Sequence, residues 1–366
     1  MSEIRLQDLR KEFKETIAVR DVNLIFPSSA VTCLLGPSGC GKTTMMRIIA
    51  GLEQPTSGDV FFDQERVTRV VTRRRRIGMV FQYPVVYSGV TVRENVELPL
   101  LRERVSPEER RKRVEEVVEI LRLGDVVDVN VDRLDMAARQ KVAVAREIAR
   151  QPRFILFDEP ITNVDVETKI QIRRALKVLT RQRRQTVIYV THDQTDAMTL
   201  ADGIVLMQDG RIVQHDAPRT LYDNPAEVFG GWFLGNPGMN FLEHGLDRSG
   251  GAVHLVSSLF PHRVRLMGAV PGDKVVIGLR PEHAEVRREP SPWAVRGRVV
   301  RRILSVGGQL LLTVQLGDRT LKVKAPPEVG VRAGTEVLVE CPLRWIRVFG
   351  ADGRRLEVEL QDEVAA

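Results

Sequence analysis

The chain has 366 residues, with 55 Lys and Arg against 48 Asp and Glu, for a formal net charge of +7. At 43% hydrophobic and 28% charged it has an ordinary globular composition, long enough for two or three domains, which excludes disordered and fibrous classes. No run approaches the ~20 uncharged apolar residues of a membrane helix, and the opening MSEIRLQDLRKEF has no apolar signal core, so a cytosolic chain is expected.

In chain order, Ala30 to Leu35 reads as a buried strand and Lys42 to Ala50 as a helix stopped by Gly51. Between and into them runs Gly36-Pro37-Ser38-Gly39-Cys40-Gly41-Lys42-Thr43-Thr44, which fits G-x-x-x-x-G-K-[ST]. Glycines there let successive N–H groups curl toward a phosphate, the helix N-terminus adds partial positive charge, Lys42 neutralises β/γ oxygens and the Thr43 hydroxyl can ligate Mg²⁺. Cys40, like Cys33 and Cys341, stands in no CxxC or Cys/His spacing and is expected as a core thiol. The run Arg73 to Arg76 reads as a solvated loop before the strand Ile77 to Val80.

From about 88 to 151 no strand of comparable strength appears. Val114, Val117, Val118 and Leu121 form an i, i+3, i+4, i+7 stripe, so this insertion is expected as a helical subdomain. Phe154 to Phe157 then forms a strand ending in Asp158-Glu159. Asp158 is suited to hold Mg²⁺ through its water shell, and Glu159 to polarise an attacking water as general base. A helix around Ile170 to Arg183, a strand Thr186 to Val190 and a hairpin turning at Asp209-Gly210 complete the first part. Beyond Asn236-Pro237-Gly238 short alternating runs punctuated by Gly and Pro predict an all-β domain, a small barrel.

These residues resemble the nucleotide-binding subunits of ATP-binding-cassette (ABC) transporters, over essentially the whole chain. The resemblance implies an α/β P-loop NTPase cassette, mostly parallel and carrying the helical subdomain, at 1–235, followed by an all-β, OB-like (TOBE-type) regulatory domain at 236–366. It implies that Gln82 is the lid glutamine sensing Mg²⁺ and γ-phosphate, His192 the switch histidine, Asp165 a dimer-contact aspartate and Phe13 the aromatic that stacks on adenine. FLGNPGMNFL at 233–242 and IGLRPEH at 277–283 are similar to sugar importers of the maltose and glycerol-phosphate type. ATP and Mg²⁺ follow as ligands. Permease subunits in the membrane, an extracytoplasmic solute-binding protein acting indirectly and a place on the cytoplasmic membrane face follow as context.

One departure stands out. Where the family carries LSGGQ before a helix that binds the other subunit's γ-phosphate, this chain has Leu134-Asp135-Met136-Ala137-Ala138. Asp135 remains a good helix N-cap, yet its charge repels phosphate by about 4 kcal/mol at ~4 Å and an effective dielectric of ~20. Met136 and Ala137 crowd the tip where glycines allow close approach. The expectation is an ATPase working beside a second, non-identical ATPase subunit. A non-hydrolysing regulatory subunit is the alternative, and an ATPase acting on nucleic acid a weaker one, since arginine is scattered rather than gathered.

Overall fold

Strands of continuous apolar sequence need cover on both faces, and here they receive it. The computed structural model describes residues 3–363 except 163 and 306, and no side chain of 178–183. Contacts divide the chain into two units, Met1–Arg219 and Thr220–Ala366.

The first unit opens with β1 (Ile4–Phe13), β2 (Thr16–Phe26), β3 (Val31–Leu35), α1 (Lys42–Ala50), β4 (Ser57–Phe62), β5 (Glu65–Arg66), α2 (Thr72–Arg75) and β6 (Gly78–Val80). Three helices follow, α3 (Val92–Arg102), α4 (Pro107–Ile120) and α5 (Met136–Arg150). The unit then runs through β7 (Phe154–Asp158), α6 (Val166–Arg183), β8 (Thr186–Thr191), α7 (Gln194–Leu200), β9 (Gly203–Gln208) and β10 (Arg211–Asp216). One sheet has the order β10-β9-β3-β8-β7-β6, parallel from β9 to β6, with β10 antiparallel at its edge. The expected alternation of strands and helices is thus realised as crossovers on a parallel sheet.

A second, antiparallel sheet, β2-β1-β4-β5, covers the other side of α1. That is why Met45, Met46, Ile48 and Ile49 of this one helix are all buried. Our reading assigned no strand to residues 4–26. Register shifts in the β1–β2 ladder interrupt the period-2 pattern, and Asp8 and Asp21 take positive φ in it, so the strand signal is broken up. The helical insertion is present, with Val114, Val117 and Leu121 buried.

The basic run departs from its reading as a solvated loop. Arg73, Arg74 and Arg76 are exposed, but Arg75 is buried, donating to the carbonyls of Ile48 and Ile49 at the C-terminal end of α1 and to those of Thr68 and Val70. Four carbonyls converging beside the C-terminal end of α1 draw the guanidinium inward, and burial lowers its pKa to about 10.

The second unit begins with α8 (Pro218–Asp223) and α9 (Val228–Phe233), followed by β11 (Asn240–Asp247), β12 (Val253–Leu255), β13 (Arg263–Met267), β14 (Lys274–Leu279) and β15 (Glu285–Arg287). It ends with β16 (Ala294–Leu304), β17 (Leu310–Leu316), β18 (Arg319–Ala325), β19 (Glu336–Glu340), β20 (Arg347–Phe349) and β21 (Glu359–Glu363). Sheets β20-β14-β11-β12-β13-β21 and β15-β19-β16-β17-β18 enclose one apolar core, an OB-like all-β arrangement. Leu310, Leu312, Val314 and Leu316 supply the inward face of β17. The division falls at 219/220, earlier than the 235/236 read from composition. The reason is Arg280, which stacks over the Tyr222 ring and donates to the carbonyls of Tyr222, Gly231 and Leu234, gathering 222–234 onto the β unit.

Candidate functional site

The loop 36–41 leaves β3 and enters α1 with a backbone only glycine tolerates at two points. At Gly36 a Cβ would lie 2.3 Å from the Met207 carbonyl oxygen, and at Gly41, with φ +101°, 2.1 Å from that of Ala18. Gly41 is the N-cap of α1, with no capping side chain and no acid in the first turn. The orphan N–H groups and positive dipole end are therefore left to an anion. Lys42 is buried and its Nζ donates to the carbonyls of Gly36 and Pro37 at 2.8 Å each, with the Cys40 Sγ at 3.7 Å. Ser38 and Gly39 form the turn at the loop's crest, and Thr44 is half-buried in the first turn of α1. Cys40 is a buried thiol, its pKa raised chiefly by that burial.

Thr43 reaches across to the end of β7, where its hydroxyl donates to Asp158 Oδ1 at 3.2 Å. Burial pushes the Asp158 carboxyl above the usual aspartate range, against that hydrogen bond and the charge of Arg47. Next to it, Glu159 takes a left-handed backbone (φ 46°), and its N–H donates to the Val190 carbonyl of β8 at 3.0 Å. This kink turns the chain at the strand end and brings Glu159 Oε2 to 3.0 Å from His192 Nδ1 and 3.3 Å from the Thr162 hydroxyl. Hydroxyl and carboxylate oxygens side by side are a hard-cation donor set. Among the described residues no three His, Cys, Asp or Glu side chains cluster, so these oxygens suit an ion completed by water and phosphate oxygens, as Mg²⁺ is.

Gln82 follows β6, whose Val80 pairs with Phe157, so it stands beside the end of β7. Among the described residues its side chain makes no hydrogen bond. Phe13 ends β1 with an exposed ring under the Lys11 ammonium, 4.6 Å from the ring centroid. Asp165 caps α6, and the N–H and hydroxyl of Thr168 hold its carboxyl below the usual range. Asp135 does at α5 what nothing does at α1: its Oδ1 accepts the Ala138 N–H at 2.7 Å, while Met136 is half-exposed and Ala137 and Ala138 partly covered beside it.

Two supports escaped the sequence reading. Gly210, noted only as a hairpin turn, donates its N–H to the Cys40 carbonyl at 3.1 Å and so braces the phosphate loop. Gln140 donates to the Phe81 carbonyl at 3.1 Å, tying α5 to the segment that carries Gln82. The Asp-Gly pair was a usable signal for the first; the second has no local signal.

An ABC transporter family model matches residues 19–162. The chain is 37% identical to the trehalose/maltose import ATP-binding protein MalK of Thermococcus litoralis, over 95% of this chain and 98% of that one. To the sn-glycerol-3-phosphate import ATP-binding protein UgpC of Psychromonas ingrahamii it is 34% identical, over 99% and 97%. Among solved structures, the dimeric post-hydrolysis ATP-binding cassette MJ0796 bound to ADP and Pi matches with a TM-score of 0.54 and 33% identity, over 59% of this chain and 99% of that one. The uncapped glycine loop, the acids at the end of β7 and near-full-length likeness converge: this chain belongs to the ATP-binding subunits of ABC transporters, ATPases of the MalK and UgpC type.

Proposed function

We propose that this chain drives an importer for a sugar, polyol or glycerol-phosphate-like solute. It is seated on permease subunits at the cytoplasmic face of the cell membrane and served indirectly by an extracytoplasmic solute-binding protein. The names of its relatives support the solute class. Among the described residues no helix is long and apolar enough to cross a membrane, which fits a peripheral seat. The observation that carries the reading is the Glu159–His192 contact, one residue beyond the Thr43–Asp158 pair.

In this reading Phe13 meets the adenine, and the N–H groups of 36–44 with Lys42 hold the β- and γ-phosphates. Thr43, Asp158 and Gln82 would hold Mg²⁺, which when bound would supply positive charge to the phosphate oxygens. Glu159 accepts the proton of the attacking water as the water oxygen bonds to the γ-phosphorus, while the bond from that phosphorus to the β–γ bridging oxygen breaks and ADP leaves with its electron pair. His192, oriented through Nδ1 by Glu159, offers its other ring nitrogen to the terminal phosphoryl group. The test is solute-dependent ATP hydrolysis by the chain assembled with its permeases. Lys42→Ala and Glu159→Gln should each abolish it, and unchanged turnover in both would make this chain the non-hydrolysing regulatory subunit instead.

We further infer that the second ATPase subunit is not a copy of this one. In support, one first-turn N–H of α5, that of Ala138, is engaged by the chain's own Asp135 carboxylate, so a neighbour's phosphate would meet a negative charge where α1 offers bare donors. Solvent at the exposed Asp135 reduces the repulsion toward the ~1 kcal/mol of bulk water, so the engaged Ala138 N–H weighs at least as much as the charge. Vigorous hydrolysis by the purified chain alone, or a homodimer in the assembled complex, removes this inference.

A further inference from the structure

The seven residues from Phe81 to Tyr87 join β6 to the helical insertion, and none of them lies in a regular element. Such a segment leaves backbone polar groups unmet, and buried ones must find partners. Here side chains supply them at both ends. At the first, Gln140, 1% exposed, donates to the Phe81 carbonyl. At the last, Asn95, fully buried, accepts the Tyr87 N–H at 2.8 Å and donates to the Tyr87 carbonyl at 3.0 Å. The Arg146 guanidinium, also buried, lies 5.1 Å from the Tyr87 ring centroid.

Between these anchors Gln82 makes no side-chain hydrogen bond among the described residues, and Tyr83 and Val85 are exposed. Gln140 and Arg146 are both on α5, the helix that Asp135 caps. Gln140 is five residues past that cap, so a displacement of the segment and a displacement of the α5 tip share one half-buried hydrogen bond.

We propose that Gln140 is a positioning residue: through the Phe81 carbonyl it sets where the Gln82 side chain stands and couples that position to the first turns of α5. The role rests on the ATPase reading above, but its geometry can be tested without turnover. The full chain is prepared as wild type, Gln140→Met, Gln82→Ala and the double variant. Methionine keeps the side chain's length and removes the donor.

Amide hydrogen exchange without nucleotide should rise about tenfold or more at 82, 83 and 85 in Gln140→Met, with α1 unchanged. In steady-state hydrolysis by the chain assembled with its permeases and second ATPase subunit, Gln140→Met should lower kcat about tenfold while leaving KM for ATP within about twofold. It should add nothing in the Gln82→Ala background, because the two act as one unit. Gln140→Glu, which points an acceptor at a carbonyl, provides a second folded variant with the same expectation. Unchanged exchange at 82–85, or a full independent loss of kcat in the double variant, overturns the proposal. A wild-type chain that hydrolyses no ATP even when assembled with its permeases and second ATPase subunit overturns the ATPase reading instead, and the exchange result then decides this one.

Discussion

His192 Nδ1 lies 3.0 Å from Glu159 Oε2, and the Thr162 hydroxyl donates to that same oxygen from 3.3 Å. One carboxylate oxygen thus has two partners, while the carboxylate itself sits on a left-handed residue whose conformation costs about 1–2 kcal/mol. The N–H···O bond from Glu159 to Val190 helps hold that conformation. Glu159→Gln keeps the shape and removes the proposed base, so kcat should fall by about 10²–10⁴-fold with nucleotide binding retained. His192→Ala should fall in the same direction, and the double variant should be no worse than the poorer single one. Steady-state hydrolysis beside a nucleotide titration checks this.

Asp158 is held where it lies at a cost in stability. Burial holds its folded pKa above the unfolded value, so the fold favours its protonated form and ionisation at neutral pH opposes folding. Asp158→Asn should therefore stabilise the protein by about 0.5–2 kcal/mol at neutral pH while removing hydrolysis. The gain should shrink as pH falls through the folded pKa and vanish below the unfolded one. Denaturant titration at several pH values measures it.

Asp135 has two separable properties, a cap and a charge. Asp135→Ala should cost about 1 kcal/mol by losing the bond to the Ala138 N–H, read as a drop of about 2–4 °C in Tm. Asp135→Ser keeps a cap and removes the charge. Its stability should stay within about 0.5 kcal/mol, and hydrolysis by the lone chain should rise, further so with glycine at 136 and 137.

The second unit should be acid-sensitive. His244 on β11 is buried, and burial, aided by the nearby Arg319 charge, lowers its pKa to about 4. The unfolded imidazole, near 6.5, takes up a proton that the folded one refuses, so stability is lost as pH falls from about 6.5 to 4, by about 3 kcal/mol. All three tryptophans, Trp232, Trp293 and Trp345, belong to this unit, so their fluorescence reports its unfolding. His244→Leu should flatten that pH dependence.

Much of this was legible because it is local. The limits of α1 agree with the reading to the residue, since a glycine-rich loop before Lys42 and a left-handed Gly51 after Ala50 mark them. The hairpin of β9 and β10 turns at Asp209-Gly210 as read, with both residues at positive φ. Arg75 was misread because its neighbours are solvated arginines, and only the approach of the α1 C-terminus distinguishes it.

The amino-acid order alone determined that a phosphate-gripping loop enters a helix, that acids end a buried strand and that an aspartate heads α5. Each is a property of a few consecutive residues and their backbone preferences. Tertiary structure decided the rest. Thr43 and Asp158, 115 positions apart, meet because β3, β8 and β7 run parallel in register, and the same sheet, with Val190 opposite Asp158, delivers Glu159 to His192. Only folding places a donor beside an acceptor when the partners come from different elements, because strand register, not sequence spacing, sets which ends adjoin.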